Sequence, residues 1–329
     1  MKTKFTLTLA LLVALSNWGQ SIVKSSIDSG GASVTAGNIE VLYTIGEVAV
    51  QETTAGNISI SEGFIGKAFK LTIDPKAILQ GPFISQSVNG LMNDNLRSGA
   101  YIPTTSPYND AAVAAASVFN LGGTSGSGLP EDDIVDWVWV ELRDQNSNTT
   151  VLASKSALLQ RDGDIVETDG LSSVCFNVGQ SNYYVVVNHR NHLGIMSSVA
   201  LNLLEDSTTV VDFTTNALAT FGTNARVDMG SGNWALWAGD TDGTNKVRFS
   251  GASNSPNVIK DHILADPANV LNFITFASSG YLNVDVDMNG TGKFSGPSND
   301  SNIIKDNVLA HPSNVLNFVT YTINNSIPE

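Results

Sequence analysis

Cysteine is almost missing from this chain: Cys175 is the single thiol in 329 residues, so no intramolecular disulfide can form. Exported to an oxidising compartment, such a protein must rely on core burial, or on a metal, for its stability. Charge is also scarce. Charged residues are 15% of the chain, against roughly 25% for an average soluble protein. Bases are the rarer sign, 17 Lys and Arg against 31 Asp and Glu, a formal charge of −14. A field of that sign repels polyanions, which excludes a nucleic-acid partner and disfavours anionic lipid.

Long apolar runs are limited to one, Phe5 to Leu15, too short for the ~20 residues that span a bilayer. Lys2 and Lys4 precede it, and Ser16, Gly19 and Ser21 follow. This is the pattern of an export signal over residues 1–20, with cleavage near Gly19–Ser21 and no transmembrane segment afterwards. The expected location is secreted or on the outer cell surface. Catalytic signatures are missing as well. There is no Gly-x-Ser-x-Gly elbow and no His-Glu-x-x-His helix. The Gly122–Gly128 run lacks the Lys-Ser/Thr ending of a phosphate-binding loop. The expectation is a protein that is not an enzyme.

What is present is β pattern and a repeat. Hydrophobic residues reach 42%, ample for cores, and the length suggests two or three domains. The reading is mainly β. A small β module at 21–71 rests on Ile39, Val41, Tyr43 and Ile45 on one face, repeated by Ile58 and Ile60 after the turn at Ala55-Gly56-Asn57. Asp74-Pro75 marks the boundary to a β-sandwich at 72–206, with strands at Trp137–Leu142 and Tyr183–Val187. Residues 207–231 read as a polar connector with some β character around Val210 to Phe213.

The strongest internal signal fills 232–329. Phe249-Ser250-Gly251 recurs as Phe294-Ser295-Gly296, and Asn269-Val-Leu-Asn-Phe273 recurs unchanged at Asn314–Phe318, a constant shift of 45 residues (294 − 249). This is a tandem duplication. In each copy an acidic loop leads into a short helix, which Pro267 or Pro312 closes.

The second copy reads Asp285-Val-Asp287-Met-Asn289-Gly290-Thr291. Oxygen side chains at loop positions 1, 3 and 5 and Gly at 6 form the opening half of an EF-hand-type calcium loop, with Thr291 offering its carbonyl at position 7. Alternate side chains converge on one point, and the all-oxygen set suits calcium. Position 12 holds Gly296, so Asp300, at the start of the next helix, is the expected closing acid, with Asn299 second. The first copy offers Asp240, Asp242, Thr244 and, by its carbonyl, Lys246. It has Ser255 where the second has Asp300, so its site should be weaker or empty. The bland alternative is an ordinary Asx turn.

These residues also carry a resemblance. Trp234-Ala-Leu-Trp-Ala-Gly-Asp240, the acidic loop and Phe-Ser-Gly-x-Ser-Asn resemble the dockerin-like tail of secreted Bacteroidetes proteins labelled hemagglutinins. Leu79-Gln-Gly-Pro82, Gly90–Arg97, Asp136–Asp144, Ala157–Val166 and Tyr184–Gly194 are similar to the middle of that family. Ser29-Gly-Gly-Ala to Gly63-Phe64 resembles a short module of such exported proteins. The resemblance implies adhesion to a cell-surface glycan or protein ligand. It also implies a short helical, dockerin-like repeat pair that a receptor domain on another protein could hold. Two departures stand out. Thr244-Asn245 replaces the usual acidic-Gly pair, and the chain ends at Ser326-Ile-Pro-Glu329 without a surface-sorting tail, which favours release or attachment through a partner.

Other constellations read as structural. His189 and His192 lie where a strand runs into a loop, which should set them on opposite faces. Arg190 should pair with an acid of the Arg161-Asp-Gly-Asp164 loop. Cys175 reads as a buried hydrophobe. Trp137, Trp139, Trp234 and Trp237 could stack on sugars but read as core residues. Three functions follow: an extracellular adhesion or binding protein with a calcium-stabilised tail, a docking component of an extracellular assembly, and a carbohydrate-active enzyme without a recognisable site.

Overall fold

The computed structural model describes residues 30–36, 39–45, 51–55, 58–62, 69–122, 129–205 and 207–329. Residues 1–20, read above as an export signal, the turn residues Gly56 and Asn57, Gly63-Phe64 and most of the glycine run (123–128) lie outside the described residues. The chain is mainly β, with several sheets and four α-helices among the described residues. None of these helices is long and apolar enough to cross a membrane. It divides into two units, residues 1–68 and 69–329.

The first unit contains two antiparallel hairpins. Strand β1 (Gly30–Ala36) pairs with β2 (Ile39–Ile45), and β3 (Gln51–Ala55) with β4 (Ile58–Glu62).

The second unit is built on two sheets. Its larger sheet runs β11 (Ile195–Met196), β10 (Ser181–Asn188), β6 (Ile134–Asp144), β7 (Ser147–Gln160), β8 (Ile165–Val166), with β12 (Leu201–Leu203) also on β10. The smaller sheet is β13 (Thr209–Asp212), β5 (Leu71–Lys76), β9 (Val174–Phe176). One core joins them: Leu71 and Ile73 from β5, Val138 and Val140 from β6, Val185 from β10 and Val211 from β13 are all fully buried in it. Nearly every position of β6 is buried, so both of its faces are covered. Trp137 donates its indole N–H to the Pro103 carbonyl at 2.8 Å, and Tyr281, far along the chain, reaches Asp136. The long stretch after helix α1 (Gln80–Phe83), which includes helix α2 (Asn95–Ser98), is pinned over the sheets by buried Met92, Leu96, Ile102 and Val118.

Several expectations change here. The two units divide at 68/69, three residues before the expected 71/72 boundary, and Asp74-Pro75 lies beyond the division, within β5. Strand β9 covers only Leu71–Ile73, so Pro75 sits past its end, where a missing N–H breaks no ladder bond to it. Residues 207–231 are not a separate connector: β13 pairs in parallel with β5, and Val211 and Phe213 are fully buried. The body and the repeat pair, read as two parts, form one compact unit. Cys175 is half-buried rather than core, because its neighbours Val174 and Phe176 take the inward face of β9.

The duplication is visible in three dimensions. Hairpin β14 (Arg226–Gly230) and β15 (Asn233–Leu236) leads into the first acidic loop. Then come β16 (Lys246–Arg248), helix α3 (Ser255–Ala265) and β17 (Ala277–Ser279), followed by their copies β18 (Thr291–Lys293), helix α4 (Asp300–Ala310) and β19 (Thr322–Asn324). The copies are intertwined: β16 pairs with β19, and β17 with β18. Ser250 donates to the Val319 carbonyl, and Ser295 donates to that of Ile274. Each repeat therefore completes the other, as in a two-fold arrangement.

Both helices start and stop for the same reasons. Asn254 and Asn299 are N-caps whose side chains accept from the backbone N–H three residues on. Asp266 and His311, each before a proline, are extended and end the helix. Ile259 and Ile263 in α3, and Ile304 and Val308 in α4, share one face at i, i+4 spacing and bury it in a second core around Trp237.

Candidate metal centre

The second acidic loop alternates side chains with opposite fates. Val286 and Met288 point inward, Val286 into the repeat-pair core and Met288 into the main core of the sheets. That alternation turns Asp285 and Asp287 together to the other side. Met288 and Gly290 both have positive φ, 57° and 88°, which closes the turn. Asp300, the first residue of α4, supplies the third carboxylate. The carboxylates of Asp285, Asp287 and Asp300 each bring one oxygen within 4.8 Å of the others.

Backbone amides hold the trio in place. Asn289 N–H donates to Asp285 Oδ1 at 3.1 Å, and Gly290 N–H to Asp285 Oδ2 at 2.8 Å. Val286 and Lys293 N–H groups donate to the two oxygens of Asp300 at 2.6 and 2.7 Å. These donors are partial charges, not a counter-ion. Burial, with the neighbouring carboxylates next, pushes Asp285 up to about 8, and burial with the charge of Asp287 pushes Asp300 up to about 7. Asp287 is raised as well, chiefly by burial. Three acids packed this closely repel each other when ionised, and a hard cation among them removes that repulsion.

The first loop repeats the scaffold without the third acid. Thr244 and Asn245 N–H groups donate to the two oxygens of Asp240 at 3.0 Å, and Thr244 N–H to Asp242 Oδ1 at 3.2 Å. Each bond has its counterpart 45 residues on. Where Lys293 N–H meets Asp300, Arg248 N–H meets the Ser255 hydroxyl at 3.3 Å. Asp240 is buried, and burial pushes it up to about 7. Asp242 is exposed.

Of the residues singled out in sequence, then, Asp285, Asp287 and Asp300 come together. Asn289 lies beside them, its amide donating to Asp287 Oδ2 at 2.9 Å. Thr291 and Lys246 open strands β18 and β16. The donor set, carboxylate oxygen throughout, suits a hard cation and offers nothing to a soft metal. No protein-family model matches this chain, and no curated protein or solved structure matches it.

A second buried polar cluster braces the loop from the body, and it departs from what the sequence suggested. The chain turns after β10, so His189 and His192 do not face apart: their Nδ1 atoms lie 3.1 Å from each other. Each is filled by other partners, Asp136 for His189 Nε2 at 3.2 Å and the Gly81 N–H for His192 Nε2 at 3.0 Å. Burial lowers both imidazoles, His192 well below its ordinary value. Arg190 pairs with Asp136 at 2.9 Å, not with the 161–164 loop, where Arg161 lies near Asp94 and Asp133 and Asp164 binds Lys76. Despite its burial Asp136 is held down to about 2, by the Arg190 charge and the hydrogen bonds from His189 and Tyr281. Of the four tryptophans weighed as sugar-stacking residues, Trp137 and Trp237 are buried and Trp139 and Trp234 half-buried.

Proposed function

We propose that this chain is an exported, non-enzymatic binding protein whose repeat pair holds a calcium ion and docks onto a partner protein. The observation that carries the reading is a duplicated display of apolar side chains. Val270, Leu271, Phe273 and Ile274 recur as Val315, Leu316, Phe318 and Val319, and all eight are between 44% and 83% exposed. Each set sits in a shaped loop. Asn269 donates to the carbonyls of Ile263 and Phe273, and Asn314 repeats the pattern with Val308 and Phe318. Ordered, clustered apolar exposure marks an interaction surface. The −14 charge argues for a protein occupant over an anionic membrane.

Calcium is the structural part of this reading. Asp285, Asp287 and Asp300 would hold it, and the ion would supply the positive charge that lets all three stay ionised. The resemblance to dockerin-like tails points the same way, and the basic, apolar start of the chain supports export.

The docking claim is tested with the full chain immobilised against surface proteins of the secreting cell. Wild type should retain a partner that the Leu271→Ser/Leu316→Ser variant loses, with the loss confined to the repeat face. Equal retention by both proteins would remove the docking reading.

A further inference from the structure

The two acidic loops converge on one residue of the sheet body. Asn191, fully buried, accepts at its backbone carbonyl from the N–H groups of Gly239 and Asp240, at 3.0 and 3.1 Å. Its side-chain amide donates to the carbonyls of Asn283 and Asp285, at 3.3 and 2.8 Å. Asp240 and Asp285 are the equivalent first acids of the two loops. One residue therefore grips both copies at the same register, once through backbone and once through side chain.

The grip has a defined direction. Asn191 Oδ1 lies 2.8 Å from His192 Nδ1. Because His192 Nε2 accepts from Gly81 N–H, its Nδ1 carries the proton and donates to Asn191. Rotating the amide would set its oxygen against two carbonyl oxygens, so only one orientation satisfies every atom. The neighbours leave no slack. A Cβ on Gly81 would stand 2.1 Å from the Val286 carbonyl oxygen. Arg190 Nη1 donates to the Leu282 carbonyl at 2.6 Å, and its guanidinium lies 4.1 Å over the Tyr281 ring.

We infer that Asn191 is the positioning residue of the second acidic loop: its side-chain amide fixes the Asp285 backbone, and so the carboxylate that opens the trio, in register with the first loop. The placement itself is independent of any ion, whereas its effect on calcium rests on the function proposed above.

Amide hydrogen exchange of the full chain in chelator decides the placement. In Asn191→Ala, exchange at Asn289 and Gly290, whose N–H groups bind the Asp285 carboxylate, should rise about tenfold. Exchange at Gly239 and Asp240, whose acceptor is a backbone oxygen that the variant keeps, should stay within about twofold. Equal acceleration in both loops would mean general loosening and overturns the inference. A wild-type measurement covers the case in which the variant does not fold: the Asn191 side-chain amide protons should be protected, and free exchange there overturns the inference too. Calcium titration adds the second arm, with affinity about tenfold weaker in Asn191→Ala. Wild type that takes no calcium defeats the ion and leaves the exchange result standing. Wild type and variant that bind equally defeat the positioning role.

Discussion

The two loops of the repeat pair share a backbone and differ in what surrounds it. Both first acids accept from the amides four and five residues on. In the first loop residues 242–246 are exposed; of their counterparts 287–291 in the second, 288 and 290 are buried and none is exposed. Gly243 stands in solvent where its counterpart Met288 reaches the main core, and Ser255 stands where Asp300 supplies the third carboxylate. The scaffold is thus common property of the duplication. The difference between a two-acid turn and a three-acid cluster comes down to one carboxylate and one anchor.

The comparison breaks most visibly at the anchor. Met288→Ala should lower unfolding stability by about 2–4 kcal/mol in a denaturant titration, the usual cost of emptying a buried methionine site, whereas Gly243→Ala, which empties nothing and strains only a φ of 66°, should cost about 1 kcal/mol. Next is the third acid. At calcium 100 times its dissociation constant, wild type should gain about 2.7 kcal/mol, read as a rise in melting temperature. Asp300→Ser, which makes the second loop resemble the first, should lose that rise, and Asp287→Ala should lose most of it. The converse variant, Ser255→Asp, should confer a second, weaker binding event visible in the same titration.

A smaller effect follows from charge. Burial raises Asp285 to about 8 and Asp300 and Asp240 to about 7, above their unfolded value of about 4. The folded state then holds more protons than the unfolded chain, so stability falls as pH rises through that window. The histidines act oppositely, but their share is largely complete by about pH 7. In chelator, melting temperature should therefore drop between about pH 7 and pH 8.5, and calcium should remove most of that drop. The smallest effect belongs to exposed Asp242: its alanine variant should change stability by less than about 0.5 kcal/mol.

Sequence reading succeeded where causes are local. The alternation of Asp285 and Asp287, Asp300 at a helix start and the prolines that end both helices depend on neighbours within a few residues. It failed where partners are distant. Nothing near Asn191 in sequence announces that it meets Asp285, and Met288 looks like any residue between two polar loop positions. Arg190 had acidic candidates on a plausible loop, yet Asp136, on the adjacent strand β6, was the one the turn after β10 brought to it. That body and repeats form one compact unit is hidden from the sequence for the same reason. Composition shifts along a chain do not reveal that Tyr281 and Asp136 share a hydrogen bond across 145 residues.

Calorimetric titration of calcium into the full chain tests the central claim most directly. One equivalent should bind in wild type and in Asp242→Ala, and none in Asp300→Ser. Absence of binding at millimolar calcium, or equal dependence on Asp242 and Asp300, would contradict the assignment of the ion to the second loop.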